Sequence, residues 1–109
     1  MDPEYIRGMR RLGYTLTLEQ LITARDHGVT PDYIESMVSL GYRGLTIDTL
    51  IRLRDHGVTP DYVVEMQRRG LKDLPADEII RLRDRGETGY LRKLGQLNYH
   101  FQRLLEWLL

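Results

Sequence analysis

Cysteine is absent from this chain of 109 residues, which excludes both disulfide staples and thiolate metal sites. Any excess of charge is missing too, since 16 Lys and Arg balance 16 Asp and Glu. A neutral chain lacks the attraction toward phosphate that nucleic-acid binders draw on, so the sequence argues against a nucleic-acid partner. No apolar run approaches the roughly 18–20 residues needed to cross a bilayer, which argues against a membrane partner. The opening Met1-Asp2-Pro3-Glu4 is acidic and carries no apolar stretch, predicting no signal peptide and a cytoplasmic location. Glycine-rich phosphate loops, the HExxH metal motif and the nucleophile elbow do not occur. Catalysis therefore has no visible carrier: the expectation is a non-enzyme with no cofactor and no metal.

What the chain does contain is repetition. Hydrophobic residues make up 41% of it, enough to bury one continuous core but at this length not two. The string Arg-Asp-His-Gly-Val-Thr-Pro-Asp-Tyr occurs at 25–33 and again at 54–62. Aligned on Pro3, Pro31 and Pro60, the sequence falls into three units spaced 28 and then 29 residues apart. The shorter spacing reflects a residue missing between Gly13 and Thr17. Each unit runs from an aromatic start (Tyr5, Tyr33, Tyr62) through a methionine (Met9, Met37, Met66) to a glycine, and then to a second half ending in Arg-Asp-(His or Arg)-Gly.

Each half predicts a short helix. Thr30-Pro31 and Thr59-Pro60 combine a side-chain cap with a proline at the first helical position, where its missing N–H costs nothing. Thr17 and Thr46 fill the cap position of the second helices, whereas the third unit has Pro75 there, leaving Asp73 as the expected cap. Apolar residues recur at helical spacing, as in Tyr33, Ile34, Met37 and Leu40, or Ile47, Leu50 and Ile51. Helices of about ten residues are marginal in water, and one hairpin cannot bury its apolar face, whereas stacked hairpins share a core. The fold expected is all-α: an α-hairpin repeat solenoid of three units over 1–88, wound as a right-handed stack and completed by a C-terminal amphipathic helix over 89–109.

That last segment changes character. Tyr90, Leu94, Leu97, Phe101, Leu104 and Leu108 follow at steps of 4, 3, 4, 3 and 4, an a/d seam, with Trp107 widening the apolar surface. Two readings stand, one long helix or a break at Asn98 that makes a fourth, degenerate hairpin. Functionally the segment is a lid on the open end of the stack, the seam for a protein partner or a second copy of the chain, or a membrane-surface helix, for which Arg92, Lys93 and Arg103 supply few cations.

Within the repeats, Asp26-His27 and Asp55-His56 suggest catalysis or metal binding at first sight. Neighbours on a helix point about 100° apart, so neither pair forms a dyad, and Arg85 replaces the histidine in the third unit. Capping or surface roles are expected instead. Asp26, Asp55 and Asp84, each after Arg25, Arg54 or Arg83, stand unfavourably at helix C-termini, which predicts that each accepts a bond from an Arg, a Tyr hydroxyl or a following helix N-terminus and pins one hairpin to the next; a solvated charge is the alternative. Tyr5, Tyr33 and Tyr62 are expected to pack in the core with their hydroxyls at the surface, rather than to stack bases. Specificity would fall to positions that differ between units: Arg7/Glu35/Val64, Gly8/Ser36/Glu65 and Arg11/Ser39/Arg68.

The unit "GVTPDYIESMVSLGYRGLTIDTLIRLRDH" resembles short helical-hairpin repeats of bacterial proteins, including those appended to membrane metallopeptidases of the antibiotic-sensing type. The resemblance covers residues 1–86 and rests on the TPDY start, the mid-unit glycine and the LIRLRDHG ending. It implies a helical interaction module and no catalytic residue. Scaffolding through protein–protein contact or self-association is thus the expected function. A designed repeat protein without a natural ligand and a nucleic-acid-binding repeat are the alternatives.

Overall fold

The computed structural model describes residues 1–85 and contains, over that span, six helices and no strand: α1 (Pro3–Arg11), α2 (Leu18–Asp26), α3 (Pro31–Ser39), α4 (Ile47–Asp55), α5 (Pro60–Arg68) and α6 (Ala76–Arg85). The fold is all-α. The segment 89–109, with its seam of Tyr90, Leu94, Leu97, Phe101, Leu104, Trp107 and Leu108, lies outside the described residues.

Local chemistry explains where the helices begin. The hydroxyls of Thr30 and Thr59 accept from the backbone N–H of Tyr33 and Tyr62, both at 3.1 Å, with Pro31 and Pro60 in the first turn. Thr17 makes a reciprocal box: its hydroxyl accepts from Gln20 N–H while the Gln20 side chain accepts from Thr17 N–H. Asp73 corrects the expected third-unit cap. It sits at φ 59°, the left-handed place that Gly44 (φ 64°) holds one unit earlier. Asp tolerates that region better than most residues. The first turn of α6 closes instead on the Pro75 carbonyl, which accepts from Glu78 and Ile79.

The helices end in a common way. After α2, Gly28 N–H donates to Arg25 and Val29 N–H to Ala24; after α4, Gly57 donates to Arg54 and Val58 to Leu53. Gly28 and Gly57 stand at φ 76° and 74°, so a side chain there would be strained. His27 and His56 are the C-cap residues of these two helices.

The turn delivers an apolar residue inward, and Val29 and Val58 are fully buried. Around them the odd-numbered helices pack in series, α1 on α3 and α3 on α5, while α4 packs on α6. Met9, Met37 and Met66 fill the interior of the first series, and Ala24, Leu53 and Leu82 that of the second, all fully or almost fully buried. Each such large side chain contributes roughly 1.5–3 kcal/mol of burial. Gly8 admits α3: a Cβ there would stand 2.7 Å from Cγ of Pro31. In the first unit this position serves packing, whereas the sequence places it among those that would carry specificity.

Candidate functional site

The polar residues repeated in every unit converge on the joints, where one hairpin passes to the next. Tyr33 is buried and its hydroxyl donates to the Val58 carbonyl at 2.7 Å. Tyr5, half-buried, donates to Val29 in the same way at 2.7 Å. These hydroxyls are satisfied inside the fold, which corrects the expectation that they reach the surface. The reason is reach: a phenol extending from the first helix of a unit meets the carbonyl that the glycine turn leaves exposed at its end. Tyr62 takes the same place in the third unit; the counterpart of Val58 there is Glu87, outside the described residues.

Arginine covers these rings. The Arg54 guanidinium lies 5.0 Å from the Tyr33 ring centre and Arg83 lies 5.0 Å from that of Tyr62. Each also reaches the joint behind it. Arg83 Nε donates to the Gly57 carbonyl at 3.2 Å, and Arg54 Nε would stand 3.0 Å from a Cβ on Gly28. Arg25, in the first unit, pairs instead with adjacent Asp26 at 3.2 Å. Burial pushes the Tyr33 phenol up to about 12, partly offset by Arg54. Burial raises Tyr5 as well, with Arg25 opposing it.

Asp26 accepts from an Arg, the adjacent Arg25, whereas the other two aspartates hold partners that the sequence did not assign. Nδ1 of His27 lies 2.6 Å from Oδ1 of Asp55, and Nδ1 of His56 lies 2.8 Å from Oδ1 of Asp84. Histidine replaces the Arg, Tyr hydroxyl or helix N-terminus expected for these two residues: each C-cap histidine meets the aspartate near the end of the next even-numbered helix. An ionised carboxylate only accepts, so the ring proton belongs on Nδ1. The two pairs are about half exposed. Among the described residues no three His, Asp or Glu side chains gather as metal ligands.

Three further cross-unit bonds appear. Tyr14 donates to the Leu45 carbonyl at 2.6 Å, Gln67 to the Leu40 carbonyl at 3.0 Å, and Arg52 to Asp77 at 3.1 Å. The recurrence of Leu-Gly-Tyr at 12–14 and 40–42 was the signal for the first. For Gln67 and Arg52 the sequence held none.

Outside the joints, the odd helices present a mixed face. Arg7 and Arg11 line a shallow groove of about 530 Å³ together with Glu4, Asp32 and Glu35. Arg69 is engaged by Glu65 at 2.9 Å. The cations that a nucleic-acid interface would gather are thus interleaved with carboxylates. No helix of the described residues is long and apolar enough to cross a membrane. No protein-family model, curated protein or solved structure matches the chain.

Proposed function

We propose that the chain is a non-enzymatic helical repeat scaffold, an α-hairpin solenoid that works by protein–protein contact or self-association in the cytoplasm. The observation that carries this reading is the division of labour between positions. Residues that recur are engaged at the joints: Tyr33 with the Val58 carbonyl and Arg54, Asp55 with His27, and His56 with Asp84. Positions that change, Arg7/Glu35/Val64 and Arg11/Ser39/Arg68, are exposed or half-buried on the odd helices. A joint chemistry repeated along the chain with a varied outer face is what a modular binding surface needs. The His–Asp pairs serve this reading better than a catalytic one, since both members face across a joint and both lie about half exposed. The resemblance to bacterial helical-hairpin repeats points the same way.

The test is comparative capture by the immobilised full chain and by a variant carrying Arg7→Ala, Arg11→Ala, Glu35→Ala and Arg68→Ala. These side chains are exposed, so the variant should melt at the parent temperature. Proteins held by the parent and lost to the variant support the scaffold. Equal retention by both contradicts it, and salt-sensitive retention on heparin favours the nucleic-acid alternative.

A further inference from the structure

The second helices of the units do not bury equivalent residues equally. Ile47 on α4 and Ile80 on α6 are 7% and 4% exposed, whereas their counterparts on α2, Leu18 and Ile22, are 63% and 38% exposed. Ile51, the counterpart of Ile22 on α4, is half-buried, and with Ile47 it lines the cleft that faces α2. The α2–α4 cleft sets Glu19, Gln20 and Thr23 against Ile47, Asp48 and Ile51. One unit on, Arg52, the counterpart of Thr23, bonds Asp77, the counterpart of Asp48. The register between successive second helices is therefore the same at both steps, and α2 offers the receiving half of that contact uncovered.

We propose that this face of α2 receives α6 of a second copy of the chain, in the geometry by which α4 meets α2 and α6 meets α4. The inference rests on the repeat-scaffold reading and names the partner for one of its surfaces. Continuing the register across two copies sets Arg81, the counterpart of Arg52, against Glu19. It also sets Arg85, the counterpart of His27 and His56, against Asp26, the counterpart of Asp55 and Asp84. Both meetings join opposite charges. Asp26 is 60% exposed and its ion pair is with the residue beside it; Arg81 is 63% exposed and pairs within its own helix to Glu78. Substituting arginine for histidine at position 85 keeps a donor facing the aspartate while adding reach. Such a contact joins the end of one copy to the start of the next, so it does not close on itself, and assemblies grow by addition.

The experiment is sedimentation of the full chain over a wide range of concentrations. The expected result is a mass that climbs with concentration past that of a dimer. Leu18→Glu with Ile22→Glu should leave a monomer of unchanged helicity, since both residues are exposed. Asp26→Arg should weaken assembly at least tenfold, and adding Arg85→Asp in the same chain should restore it. A chain that stays monomeric, as when its own residues 89–109 occupy the face, overturns the proposal. So does a dimer that stops growing, or assembly indifferent to the α2 substitutions. These results bear on self-association alone; contact with other proteins is judged by capture on the odd-helix face.

Discussion

His27 and Asp55 stand 28 positions apart in the chain and 2.6 Å apart in space, and His56 bears the same relation to Asp84. An aspartate in the last turn of a helix opposes the dipole there. A histidine proton donated from the preceding helix end offsets that cost, and the offset binds two units together. Exposed pairs of this kind contribute about 0.2–1 kcal/mol. His27→Ala and Asp55→Ala should each lower stability by about that much, and the double variant should cost less than the two losses added. Urea unfolding of the four proteins measures this. Strict additivity would remove the pair from the account.

The Tyr33 hydroxyl should matter more. Tyr33→Phe leaves the Val58 carbonyl without its donor in a buried place, a loss of about 1–2 kcal/mol. Tyr5→Phe should cost less, because Tyr5 is only half-buried and water can replace the hydroxyl. Midpoints in urea decide the order, and a larger loss at Tyr5 would contradict it.

Alkaline pH supplies an independent reading of the same joint. Burial raises the Tyr33 pKa to about 12, so the folded state holds its proton more tightly than the unfolded chain, where a tyrosine titrates near 10. A raised folded pKa means that the contribution to stability is complete below pH about 10 and is lost as pH rises through the folded value. Stability should fall between pH about 10 and 12, and Tyr33→Phe should flatten that fall. Ultraviolet titration should lose its component near 12 in the variant. A difference component near 10 would count against the buried joint.

Gly8 tests the approach of α1 to α3. Alanine favours a helix over glycine by about 1 kcal/mol. A methyl group at this position nevertheless meets the Pro31 ring at 2.7 Å, and a proline at a helix start has little freedom to withdraw. Overpacking of this kind costs roughly 1–3 kcal/mol. Gly8→Ala should therefore lower the thermal midpoint, while a rise would show that the two helices can part without cost.

Much of the helical order was legible in the sequence because it is local. Thr-Pro starts and glycine stops act within a few residues of themselves, and the methionines fall on the inner face by period alone. The joints were less legible. The recurrence of Tyr, Arg, Asp and His marked them, but partner choice depends on where a C-cap side chain points after a left-handed turn, which spacing does not encode. Hence His27 holds the C-cap place expected of it and also meets Asp55, for which spacing offers an Arg, a Tyr hydroxyl or a helix N-terminus. Asp73 was misjudged for a related reason: its role follows from Gly44, 29 residues earlier, rather than from the Pro75 beside it.

The central claim is that the joints, such as the bond from Tyr33 on α3 to Val58 in the turn that leads into α5, couple the helices into one cooperative fold. Hydrogen exchange at the helical amides of Met9, Met37 and Met66, one in each unit, tests it most directly in the full chain and in Tyr33→Phe. A coupled stack predicts that losing one joint bond lowers protection by a similar factor, about tenfold for about 1.4 kcal/mol, at all three amides. A loss confined to Met37, with Met9 and Met66 unchanged, would show three hairpins that stand side by side without holding one another, and would contradict the account.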